Sequence, residues 1–116
     1  MKRKRIKDNT FNTYCELCLD CSEKEFLNFI NKKYNTKYEP TTALGKSIYH
    51  REDNEINYYI WVNKNDNYVT LAHEVLHLIR FWLQDYYGIN LTEETEEIYT
   101  SLHSFYLNKT INIKKI

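Results

Sequence analysis

Two histidines stand four residues apart in LAHEVLHLI, residues 71–79, with a glutamate directly after the first. Side chains at i and i+4 share one face of a helix, one turn apart. On a helix, His73 and His77 can therefore reach a single metal ion at the Zn–N distance of about 2.0–2.1 Å. Glu74 lies about 100° further round, so it misses the metal but can take a proton from a water beside it. This is the chemistry of the H-E-x-x-H zinc peptidases, where the metal polarises a carbonyl and the glutamate is the general base. The competing explanation is two satisfied structural histidines. Burying two imidazoles and a carboxylate without partners costs several kcal/mol, which favours the metal site.

A catalytic zinc normally takes three protein ligands and a water. No histidine follows at the metzincin spacing, because position 83 is Leu83. The segment TEETEEIYTSLHSF, residues 92–105, offers Glu93, Glu94, Glu96, Glu97 and His103. A helix starting near Thr92 has Ile98, Leu102 and Phe105 as its apolar stripe. Glu93 and Glu94 suit its positive first turn. Glu96 points away from the stripe and Glu97 lies at its edge. Glu94 is nearer its centre, so periodicity favours Glu94. Helix length favours another residue. If the motif helix runs straight to Tyr87, a tight antiparallel return at about 1.5 Å per residue brings His103 or Ser104 opposite it. Glu97 comes opposite only if the first helix stops near Leu83 or the helices cross at an angle.

The elements that position these residues follow from local pattern. TYCELCLD, within residues 13–20, reads as a first strand, and Ser22 with Glu25 three residues on forms a capping box. Phe26, Leu27, Phe29 and Ile30 mark a helix to about Tyr34. NTKYEPTTALG is a loop. KSIYH is a strand, REDNEIN a polar turn and YYIWVN a returning strand. KNDN turns directly into the motif helix. The expected fold class is α+β, a small, mainly antiparallel sheet of about three strands packed on about three helices.

The 116 residues suit one domain spanning 1–116, with a modest core. Lys and Arg number 16, as do Asp and Glu, so there is no overall field to attract nucleic acid or an anionic membrane. The basic start MKRKRIK and end IKKI read as solvated, with residues 1–12 a frayed tail. No apolar run follows the basic start and none reaches transmembrane length, which points to a cytoplasmic protein. Cys15, Cys18 and Cys21 are an odd count, and no second pair follows at zinc-finger spacing. They read as structural, with Cys15 and Cys21 on one face of a strand and Cys18 on the other.

The stretches YIWVNKNDNYVTLAHEVLHLI and GINLTEETEEIYTSLHSFYLNK resemble small zincin-like proteins of bacteriophages and mobile elements. These look like minimal gluzincins, distantly similar to ImmA- and SprT-type peptidase domains. The likeness covers about residues 45–110. It implies a zinc ion (Zn2+) held by His73, His77 and Glu97, with Glu74 as base, in the cytoplasm of a bacterial or phage-infected cell. Thr100 and Ser101 stand where the pattern has a more apolar pair. The resemblance further implies that YYIWVN is the sheet edge that pairs with a peptide substrate. Tyr58, Tyr99 and His50 are the candidates for oxyanion support. The expected function is zinc-dependent peptide hydrolysis. The rival is a non-catalytic, zinc-stabilised module that acts by binding a host protein.

Overall fold

The computed structural model describes residues 1–66 and 68–115. The elements are β1 (Lys2–Asp8), β2 (Thr13–Leu19), α1 (Glu23–Tyr34), β3 (Gly45–Glu52), β4 (Glu55–Val62), α2 (Val69–Arg80) and α3 (Glu96–Lys115), with a π-helical turn over Phe81–Tyr86. The fold is α+β, as expected, but the sheet has four strands in the order β1-β2-β4-β3. It is mixed: β2 pairs with β4 in parallel, and the β1/β2 and β3/β4 pairs are antiparallel.

Two apolar clusters sandwich the sheet. Leu17, Ile60 and Val62 meet Leu71, Val75 and Leu78 of α2, with Leu102 and Tyr106 of α3 behind. On the opposite face, Cys18, Tyr59 and Trp61 pack against Phe26, Leu27 and Ile30 of α1. Helix α1 begins as the sequence predicts. The Ser22 side chain accepts from the Glu25 backbone, and Glu25 reaches back to the Ser22 N–H. Helix α2 is capped from outside: the Asp66 carboxylate accepts from the backbone N–H groups of Tyr68, Thr70 and Leu71 at 3.1–3.2 Å. It thereby satisfies donors that the helix itself cannot pair.

Several expectations are corrected. The basic start is not a frayed tail, because Lys2–Asp8 is strand β1, paired along its length with β2. YYIWVN is not the sheet edge. β4 lies between β2 and β3, and its side chains are buried alternately against α2 and α1. A continuous apolar run is what a strand covered on both faces requires. The outer strand beside α2 is β3. The polar turn between β3 and β4 shrinks to Asp53 and Asn54, with Asp53 at φ 55°. Cys21 packs with Cys18 rather than Cys15, because β2 ends at Leu19 and Asp20 takes a left-handed φ of 56°. All three cysteines are buried and free.

The helical hairpin also differs. Helix α2 runs into the π turn without a break, and the chain leaves it at Gly88, whose φ is +71°. Helix α3 starts at Glu96, not near Thr92. Thr92 and Thr95 form their own hydrogen-bonded turn, and the Thr95 carbonyl accepts from Ile98 and Tyr99. The buried stripe of α3 is Leu102, Tyr106 and Thr110. Tyr106 Oη hydrogen-bonds Thr13 Oγ1 at 2.9 Å, which lets a phenol sit in the core.

Candidate functional site

His73 and His77 lie on the solvent-facing side of α2, both exposed, so the expected cost of burying unpartnered imidazoles does not arise and gives no support to a metal. Their Nε2 atoms are 3.1 Å apart. Two Zn–N bonds at a tetrahedral angle put their nitrogens about 3.3 Å apart. The pair therefore already has the bite of one tetrahedral ion. Neutral imidazole is a good zinc ligand, so donor type and spacing both fit.

Glu74 turns the other way, toward the sheet, and is 5% exposed. Its Oε1 accepts a hydrogen bond from Ser47 Oγ of β3 at 2.8 Å. Ser47 is also in hydrogen-bonding contact with Tyr58. Burial pushes the Tyr58 phenol well above its ordinary pKa, so it stays protonated at neutral pH and can act as a donor.

Open space flanks this carboxylate on two sides. A cleft of about 420 Å³ is lined by Ser47, Tyr49 and Tyr58 from the sheet and by Glu74, His77 and Arg80 from α2. A shallower hollow of about 360 Å³ is lined by Leu44, Val69, Thr70, His73 and Glu74. One histidine thus opens onto each, and Glu74 is common to both. The outer strand β3 forms the wall opposite α2. Gly45 makes the close approach of that wall possible. A Cβ there would stand 2.6 Å from Thr70 Cγ2 and 3.2 Å from both Glu74 Cγ and the Trp61 carbonyl.

Among the described residues, no third donor is gathered with the pair: no three His, Cys, Asp or Glu side chains converge on one metal position. Glu97 is exposed in the first turn of α3, where its Oε1 accepts from Ser101 Oγ at 3.3 Å. Tyr99 Oη donates to the Ile89 carbonyl, and Lys114 Nζ stands 5.5 Å from the Tyr68 ring centre. Helix α3 therefore runs antiparallel to α2, its start beside the end of the π turn. That sets Glu97 toward the far end of the hairpin from His73. Glu93 and Glu94 are exposed in the segment before α3, so the helical periodicity that favoured Glu94 does not apply to it.

Of the three oxyanion candidates, Tyr58 lines the cleft. His50 is turned to the α1 side, stacked on Tyr34 with ring centres 4.4 Å apart. Tyr99 is committed to the Ile89 carbonyl. Sequence reasoning missed Gly45, Ser47 and Tyr49. The available signal was their alternation along KSIYH, with one of the chain's two glycines just before it.

No family model, no curated protein and no solved structure matches the chain.

Proposed function

We propose that the chain is a zinc-dependent peptide hydrolase of minimal gluzincin type, working along the groove between β3 and α2. The observation that carries this is the His73–His77 nitrogen pair at ion-sharing distance, with the Glu74 carboxylate on the adjacent face. Zinc would be held by His73 and His77, with Glu97 as the third protein donor. That ligand is supplied by the family resemblance and requires the start of α3 to shift toward the histidines. When bound, zinc supplies Lewis acidity to a carbonyl and to water.

The chain's own residues do the rest. An extended peptide lies against the free edge of β3, where main-chain hydrogen bonds set its register. Glu74 takes the proton from the attacking water and returns it to the leaving amine. Ser47 fixes the carboxylate that does so, and Tyr58 would support charge on the carbonyl oxygen only by giving up its contact with Ser47. The described residues include no helix long and apolar enough to cross a membrane. Action in the cytoplasm is part of this proposal.

A second reading is a non-catalytic zinc-stabilised module that binds a host protein. The Ser47–Glu74 bond favours it, because that bond gives Glu74 a structural task, pinning strand to helix. Incubating the zinc-loaded protein with a mixed peptide library, with and without a chelator, separates the two. Cleavage that stops on chelation supports the hydrolase. Zinc retention with no cleavage across the library supports the binding module.

A further inference from the structure

The two basic ends of the chain meet in space. Lys2 of β1, Lys64 of the β4–α2 turn, and Lys114 and Lys115 of α3 surround one hollow of about 140 Å³, together with Leu19 and Asp20. Lys2 Nζ lies 3.5 Å from the Ile113 carbonyl, which ties β1 to the end of α3. The salt bridges among the described residues, Arg3–Glu16 and Lys46–Glu23, involve none of the four lysines. Asp20 carries one negative charge, and the C-terminal end of α3 adds about half of another. Four ammonium groups exceed both. A chain with no net charge thus concentrates positive charge at one end of its sheet.

Lys114 and Lys115 by themselves have an ordinary task, since cations suit a helix C-terminus. That task does not account for Lys64, which comes from another element, or for the enclosed shape of the space between them. A water occupies about 30 Å³, so the hollow has room for a group several times larger.

We propose that this hollow is a binding site for a phosphate group. Each ammonium offers three donors and a point charge. Lysines from three elements around one hollow, Lys2 also near the Ile113 carbonyl and Lys114 near the Tyr68 ring, match an oxyanion with three or more acceptor oxygens and up to two charges. A carboxylate, with two oxygens and one charge, satisfies them less well. The phosphate can come from free inorganic phosphate or from a polynucleotide backbone. The site is independent of the metal reading.

Two probes, inorganic phosphate and a short mixed-sequence single-stranded oligonucleotide, are titrated at low salt by calorimetry and fluorescence anisotropy. The wild type is compared with Lys64→Glu/Lys114→Glu. A control, Lys24→Glu/Lys37→Glu, makes the same charge change at exposed positions on α1 and its following loop. Binding of either probe that falls at least tenfold in the first variant, and less than threefold in the control, supports the site. Binding of inorganic phosphate names the free ion as a source, and binding of the oligonucleotide alone names the polymer. Oligonucleotide affinity should fall with salt at a log–log slope of about −2 if three lysines neutralise phosphates. No binding of either probe, equal losses in the two variants, or equally tight binding of polyglutamate would overturn the assignment.

Discussion

Ser47 Oγ and Glu74 Oε1 lie 2.8 Å apart, joining the outer strand of the sheet to the helix that carries the histidine pair. The bond assigns the motif glutamate a place: buried, off the histidine face and fixed at the groove wall. It also separates two roles that mutagenesis can pull apart. Glu74→Gln keeps the side chain's size and its ability to accept from Ser47, and removes only the capacity to take a proton. Peptide cleavage should fall by at least about 100-fold, the usual contribution of a general base. Zinc content and melting temperature should stay near wild type. Undiminished cleavage by the glutamine variant would rule Glu74 out as the base.

On the proposed reading, zinc binding depends on the exposed pair. Elemental analysis of protein supplied with zinc should give about one ion per chain, and either His73→Ala or His77→Ala should strip it. If the ion binds the folded chain in preference to the unfolded one, loading should raise the melting temperature of wild type and leave both variants unmoved. Wild-type protein that takes up no zinc under these conditions would end the metallopeptidase proposal.

The parts legible in sequence were those fixed by local chemistry. Ser22 and Glu25 declared the start of α1 because both halves of a capping box lie within four residues. The helical setting of His73, Glu74 and His77 was equally local. What failed depended on partners distant in sequence. KRKRIKD holds one apolar residue, yet it forms an edge strand, because Ile6 is buried in the core and Arg3 and Arg5 lie over the Phe29 and Tyr14 rings. The family resemblance makes YYIWVN an edge, but its unbroken apolar run is the sign of a central strand. The Ser47–Glu74 contact spans 27 residues, and no spacing rule reaches it.

Gly45 tests how closely strand and helix must approach. Gly45→Ala places a methyl group against Thr70 and Glu74, with the Trp61 carbonyl on its third side. Overpacking of this kind costs about 1–3 kcal/mol. Chemical denaturation should show that loss. Cleavage should drop further than stability does, because the displaced atoms include those of the proposed base. A stability equal to wild type would mean that the β3–α2 junction yields freely.

Glu23 sets a pH dependence away from the site. Burial by itself raises its pKa, but hydrogen bonds from Thr41 and the Lys46 ammonium outweigh burial and hold the carboxyl below its usual value. A carboxylate with a depressed folded pKa stabilises the fold above its unfolded pKa of about 4.3. That contribution is lost as pH falls through the lower folded value. Thr41, Thr42 and Lys46 precede or open β3, so the same loss loosens the groove wall. Glu23→Gln should lower the melting temperature at neutral pH and narrow the gap to wild type in acid. A gap that is constant across this range would show that the carboxylate charge plays no part.

The third ligand is where the family resemblance and the hairpin geometry disagree, and alanine substitutions decide between them. The resemblance names Glu97. The structure carries α2 through the π turn to Tyr86 and returns α3 antiparallel, which leaves Glu97 near the hairpin's far end and puts later residues of α3 level with the histidines. If α3 shifts on metal binding, Glu97→Ala removes a direct bond and should lower zinc affinity at least about tenfold, with Glu93→Ala unchanged as the control for lost negative charge. The shift should also free Glu97 from Ser101, so Ser101→Ala should leave affinity unchanged or improve it. If the hairpin stays as it is, Glu97→Ala should match Glu93→Ala. A selective loss with His103→Ala would then identify the ligand from the straight return of α3. Equal affinity in all three variants and in Glu94→Ala would leave the two histidines as the only protein donors among the candidates, too few for a tight catalytic zinc. That result would count against the hydrolase and against a zinc-stabilised module alike.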